Sequence, residues 1–254
     1  MRPVQLETNF AATGTGVFQT TQWKVVVTSA QTKDPGLART ALTELCECYW
    51  RPLYAYARRR GMERADAQDA VQSFLLDLIE HKTFALADPL RGRFRTFLLG
   101  VFQRFLASAW ERERTLRRGG RAQMIFLDAT DAERVCHAEL SSSATPERAY
   151  EMRWAMDTVA RALGTLEGQA QKAGRDSLFQ TLKPFLDGEV AEASYADTAT
   201  RLGLSLAALK TSIHRLRREF RETLRREVAR TLADPCQVDE ELDNLRSALA
   251  GAAR

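Results

Sequence analysis

The sequence predicts an all-α protein built as two helical domains joined by a flexible linker, and three observations carry that prediction. Ala, Leu, Arg and Glu are abundant, whereas Gly and Pro become sparse after the first few dozen residues, a balance that favours helix. Apolar residues recur at three- and four-residue spacings over several long stretches. Between residues 122 and 146 this periodicity lapses, ending in Ser141-Ser142-Ser143-Ala144-Thr145-Pro146, a composition suited to a linker.

At 254 residues and 28.6 kDa the chain is long enough for one or two domains with a proper core. Its 44% hydrophobic and 28% charged content is that of a soluble globular protein. No apolar run approaches the roughly 18 residues of a membrane span, and residues 1–19 lack the apolar stretch of a signal peptide and read as disordered. A cytoplasmic protein without membrane contact is the expectation. Cys46, Cys48, Cys136 and Cys236 form no C-x-x-C pair, and only three histidines are present. A zinc site from Cys46, Cys48, Cys136 and His137 is conceivable, but reduced thiols and no metal or cofactor are expected.

Along the chain, Thr20 or Thr21 can cap a helix holding Trp23, although Lys24 to Thr28 also has strand character. Leu42, Leu45, Tyr49 and Leu53 mark a helix between Pro35 and Gly61, with a kink expected at Pro52. From Glu63 to His81 the residues divide into two faces. Val71, Phe74, Leu75 and Leu78 form an apolar one, and Asp66, Asp69, Ser73, Asp77 and Glu80 an acidic one. An acidic face repels DNA, so it suits either a protein partner or plain solubility.

The segment Asp88 to Thr96 reads as an arginine-bearing loop, and a helix follows with Leu98, Val101, Phe102, Phe105 and Ala109 inward. From Arg91 to Arg121 there are nine Arg against two Glu. Arginine interleaved with aromatics suits single-stranded nucleic acid, where guanidinium groups hold phosphates and rings stack on bases. Phe94 and Trp110 have the alternative place of core residues. After the linker, Tyr150, Trp154, Val159 and Leu163 mark a helix, and Phe179, Leu182 and Phe185 another.

The most specific stretch runs from Ser194 to Arg230. Ser194 is positioned to cap a short helix with Tyr195 and Ala199; Leu202-Gly203-Leu204 forms a turn; Ser205 caps a second helix. In the second helix Leu209, Ile213, Leu216 and Phe220 form the apolar stripe, while Lys210, Thr211, His214, Arg215, Arg217, Arg218 and Arg221 take the other faces. Nine Lys/Arg against three Glu between Arg201 and Arg230 concentrate positive charge in a chain whose total is +4. Short helix, glycine turn and cationic second helix describe a DNA-reading helix-turn-helix; a solvated surface helix is the plain alternative. From Asp234 onward five acids face two arginines, in a tail with Leu242, Leu245 and Leu249 at helical spacing. That charge inversion suggests a tail folded over a basic face.

Two basic regions about a hundred residues apart, in this order and spacing, resemble the sigma-70 family of RNA polymerase sigma factors, of the extracytoplasmic-function type. Arg64 to Ile79 is similar to the family's polymerase-binding helix, with Asp69, Gln72 and Phe74 at its recurrent positions. Arg93-Phe94-Arg95-Thr96-Phe97-Leu98 is similar to the beginning of its promoter-melting helix. Tyr195 to Ala199, Leu202 to Ser205 and Leu209 to Arg218 are similar to its domain-four helix-turn-helix. Arg104 departs by standing where asparagine is common, and the first forty residues and the acidic tail exceed the minimal plan.

The resemblance implies a non-catalytic initiation factor that binds core RNA polymerase and promoter DNA, with an anti-sigma factor as a further candidate partner. A region 2-like domain would span residues 20–121 and a region 4-like domain 147–232, ahead of an acidic tail at 233–254. Asp69, Gln72, Phe74 and Asp77 would bind polymerase. Phe94, Arg95, Arg104, Arg112, Arg114, Arg117 and Arg118 would hold the unpaired minus-ten strand. Lys210, Thr211, His214, Arg215 and Arg218 would read the minus-thirty-five major groove, with Arg217, Arg221, Arg225 and Arg226 on phosphates. The alternatives are a stand-alone helix-turn-helix regulator that needs no polymerase, and a polymerase-binding adaptor without promoter recognition. An enzyme is not expected, because there is no phosphate loop, metal-ligand spacing or nucleophile–base pair.

Overall fold

The computed structural model describes residues 35–81, 83–88, 92–115, 145–186, 192–232 and 234–250, and every described regular element is helical. In chain order these are α1 (Pro35–Arg59), α2 (Arg64–Glu80), α3 (Phe94–Thr115), α4 (Pro146–Lys172), α5 (Asp176–Leu182), α6 (Glu192–Leu202), α7 (Leu206–Arg230) and α8 (Val238–Ala250). Short 3-10 turns lie at Thr83–Leu86, Lys183–Leu186 and Pro235–Gln237. The expected N-terminal helix around Trp23, residues 1–19 and all but the end of the expected linker fall outside the described residues.

Local sequence accounts for the helix ends. Thr145 accepts a hydrogen bond from the Arg148 N–H at 3.3 Å, and Pro146 occupies the first helical position, where a missing N–H is harmless. α6 ends in a Schellman motif: the Gly203 N–H donates to the Thr200 carbonyl and the Leu204 N–H to the Ala199 carbonyl. Gly203 makes this possible by adopting φ +64°, where a Cβ is disfavoured. α6 begins at Glu192, so Ser194 lies inside its first turn and is not its cap. α1 runs as one helix with Pro52 inside it.

Two apolar cores form. The first gathers Leu45, Tyr49, Leu53 and Tyr54 of α1, Val71, Phe74, Leu75 and Leu78 of α2, and Phe94, Leu98 and Phe102 of α3. It also takes in Tyr150 and Trp154 of α4, Val228 of α7 and Leu245 of α8. Ring contacts knit it together, including Phe74 to Phe102 at 4.9 Å and Tyr49 to Phe94 at 5.5 Å. Burying one such ring stabilises the fold by roughly 1.5–3 kcal/mol. The second core is smaller: Leu166 and Ala170 of α4, Phe179, Leu182 and Phe185, Ala199 of α6, and Leu209, Ile213 and Leu216 of α7.

The cores do not divide where two independent domains would. α4 gives Tyr150 and Trp154 to the first and Leu166 to the second, and α7 gives Leu209 to the second and Val228 to the first. The chain on both sides of residues 122–146 therefore closes a single first core. Helical periodicity marks a face as buried without naming what buries it, which is why the boundary read from composition and the boundary set by packing differ.

Candidate nucleic-acid interface

The α6–turn–α7 unit meets solvent through its second helix. Ser205 sits in extended conformation and accepts from the Ala208 N–H at 3.2 Å, starting α7 immediately after the glycine turn. Leu209, Ile213 and Leu216 are buried and Phe220 packs against them, as their spacing predicts. The other face carries Lys210, Thr211, His214, Arg215 and Arg218, all exposed. Lys210 and Arg215 have no ion-pair partner among the described residues, and Arg218 lies 3.7 Å from Glu222. Thr211 donates to the Ala207 carbonyl at 2.9 Å, so its hydroxyl is partly committed to its own helix. Leu204 and Leu206 flank the turn and are exposed, two apolar side chains beside the cationic face that their positions outside the buried stripe could have flagged.

Not every arginine of α7 is free to meet phosphate. Arg217 donates twice to the Phe185 carbonyl, at 3.0 and 2.7 Å, tethering α7 to the turn after α5. Arg225 forks onto Asp239 of α8, and Arg226 donates to Thr223 and to the Glu222 carbonyl. Of the four expected phosphate contacts, Arg221 and Arg226 are exposed and without an ion pair among the described residues, and Arg226 is tied by hydrogen bonds to its own helix.

The start of α3 is organised differently. Phe94 is 0% exposed, edge-on to Tyr49, and is a core ring with no face for a base to stack on. Arg95 is 5% exposed. Its guanidinium pairs with Glu151 at 2.7 Å and with Glu241, and lies 4.1 Å over the Trp154 ring. Tyr150 donates its hydroxyl to the Arg95 carbonyl at 3.0 Å, and burial pushes the Tyr49 and Tyr150 hydroxyls well above the ordinary phenol range. These two expected strand contacts are therefore corrected: Phe94 and Arg95 hold the first core to α4 and α8. Arg104 remains exposed with no described partner. Arg112 and Arg114 fall in the last turns of α3, where side chains are outside the described set, and Arg117 and Arg118 lie outside the described residues.

α2 keeps its two faces. Asp66 and Asp69 are exposed, and neither has an ion-pair partner among the described residues. Asp77 is half-exposed, with the His81 ring 3.3 Å from its carboxylate. Gln72 and Phe74, by contrast, are buried, Phe74 completely. They support the acidic face from beneath and are not themselves available to a partner. Beside this face a groove of about 510 Å³ opens, lined by Glu63, Asp66 and Asp69 together with Arg60, Met62 and Phe105. No described helix is long and apolar enough to cross a membrane. Cys46, Cys48 and Cys236 are free thiols, while Cys136 and His137 of the conceivable zinc set lie outside the described residues.

No protein-family model matches the chain, and neither a curated protein nor a solved structure matches it.

Proposed function

We propose that this protein is a sigma-type transcription initiation factor, acting in the cytoplasm without catalysis of its own. The observation that carries the reading is α7. A capped helix placed by a glycine turn buries one stripe and presents Lys210, His214, Arg215 and Arg218 together, with a helix's width to enter a major groove. Arginine in that groove can donate two bonds to guanine, worth roughly 1–3 kcal/mol of discrimination, while neighbouring cations hold phosphate. The groove lined by Glu63, Asp66 and Asp69 with Met62 and Phe105 supplies a separate surface, of the wrong sign for DNA and suited to a basic protein such as a polymerase clamp.

In this reading the single-strand contacts shift away from Phe94 and Arg95 toward Arg104 and the arginines that follow it. The elements named minus ten and minus thirty-five lie about 25 base pairs apart, roughly 85 Å at about 3.4 Å per pair. α4 and α7, which carry both cores, are each about 40 Å long at about 1.5 Å per residue. Both surfaces therefore reach one promoter only if the shared first core loosens. That requirement favours, as second reading, a stand-alone helix-turn-helix regulator that keeps the core closed on duplex DNA.

Co-elution with core polymerase separates the two. Polymerase carries the wild-type protein through gel filtration and fails to carry Asp66→Lys with Asp69→Lys. A protein that binds duplex DNA but never travels with polymerase belongs to the second reading.

A further inference from the structure

The acidic tail is folded onto two arginines that lie far apart in the chain. Arg93, just ahead of α3, places Nη2 2.6 Å from Glu240 and Nε 2.6 Å from Glu241. Arg225, on α7, forks onto Asp239. All three carboxylates stand in the first turn of α8, so one helical turn bridges the α3 and α7 regions. The helix is seated from below by Val238 and Leu245, which enter the first core, and by Glu241, which also pairs with buried Arg95. Asp239 and Glu240 are mostly exposed, 75% and 70%, so their pairs sit at the rim where water can replace them.

Geometry separates seat from clasp. Glu241, Val238 and Leu245 are internal and fix where the helix lies. Asp239 and Glu240 supply only carboxylate oxygens to guanidinium forks, the same chemistry that a phosphate oxygen supplies. Arg93 and Arg225 are thus anion-binding groups with anions already in place. Asp243 on the same helix pairs instead with its neighbour Arg246 at 2.7 Å, and so has no part in the clasp.

We propose that α8 is an internal competitor for nucleic acid: its Asp239 and Glu240 occupy Arg225 and Arg93, and a phosphate backbone that binds the protein must displace them. This rests on the nucleic-acid reading of α7 and adds to it a regulated, second cationic surface under the tail.

The test uses the full-length chain without polymerase and a labelled mixed-sequence duplex, with the single strand taken from it. Asp239→Asn and Glu240→Gln each remove one charge from the clasp; Asp243→Asn removes one charge from the same helix outside it. Asp239→Asn should bind about threefold to fivefold more tightly, as expected for an exposed pair released, and Glu240→Gln less than that, because Arg93 keeps Glu241. Their combination should steepen the dependence of log affinity on log salt by up to about 0.9, because Arg225 is then released to displace counterions while Arg93 keeps its pair with Glu241. In the wild-type protein, adding DNA should speed amide exchange across residues 238–250. Equal tightening by Asp243→Asn would reduce the effect to bulk charge and overturn the proposal, as would exchange in α8 unmoved by DNA. If the variants bind DNA no better than wild type, the competitor is rejected while DNA binding stands. If no variant binds at low salt, both fail together.

Discussion

The two arginine-rich regions are near twins in composition, yet the cations that open the first are held differently from those of the second. Residues 91–121 and 201–230 each hold nine basic residues with few acids. At the start of α3 the leading cations are turned inward or held: Arg95 is sandwiched between two carboxylates and an indole, and Arg93 is gripped by α8. On α7 the cations opposite the apolar stripe stay exposed, and Lys210 and Arg215 lack a described ion pair. Charge count alone therefore does not locate a nucleic-acid surface. What decides is whether carboxylates from elsewhere in the chain arrive to meet the guanidinium groups.

Substitutions can break this contrast, beginning with the largest expected effect. Phe94→Ala should lower the unfolding free energy by about 3–5 kcal/mol in chemical denaturation, as for other buried rings. Were Phe94 instead a base-stacking side chain, stability would hold and only strand affinity would fall. Arg215→Glu with Arg218→Glu should do the reverse, reducing duplex affinity on the order of 100-fold by anisotropy at fixed salt while leaving the melting temperature in place. A drop in melting temperature of several degrees would place these side chains in the fold and not at an interface.

Smaller effects sharpen the account. Ser205→Ala removes the α7 cap and should cost about 1 kcal/mol, with duplex affinity falling alongside as the first turn frays. Unchanged amide exchange in that turn would mean the cap is dispensable. The smallest effect is electrostatic. The Arg225 hydrogen bond holds the Asp239 carboxyl below its ordinary 3.8. A depressed carboxylate pKa stabilises the clasp above pH 3.8, and this stabilisation fades as pH falls through the lowered value. A titration of Asp239 followed by NMR should give a midpoint under 3.8 that rises in Arg225→Ala. A wild-type midpoint at or above 3.8 would remove the Asp239 half of the clasp.

Much of the fold was readable from the residues. The buried stripes of α2 and α7, the glycine turn, the Ser205 cap and the amphipathic tail follow from spacing and from the φ that only glycine adopts freely. What could not be read was partnership. Arg95 and Arg104 are indistinguishable as letters, yet one meets Glu151 and Glu241 across long stretches of chain and the other meets solvent. Phe74 stands five residues from Asp69 but about 140° around the helix from it, against Phe102 in the first core, while Gln72 is buried although it lies only about 60° from Asp69. The common core of α1, α4 and α8 likewise depends on contacts between distant segments, which local periodicity does not encode.

The most direct test of the central claim is run-off transcription with purified core polymerase on a library of genomic fragments. Discrete transcripts should require the wild-type protein and vanish with Arg215→Glu and Arg218→Glu. Identical transcript patterns with and without the protein would contradict it.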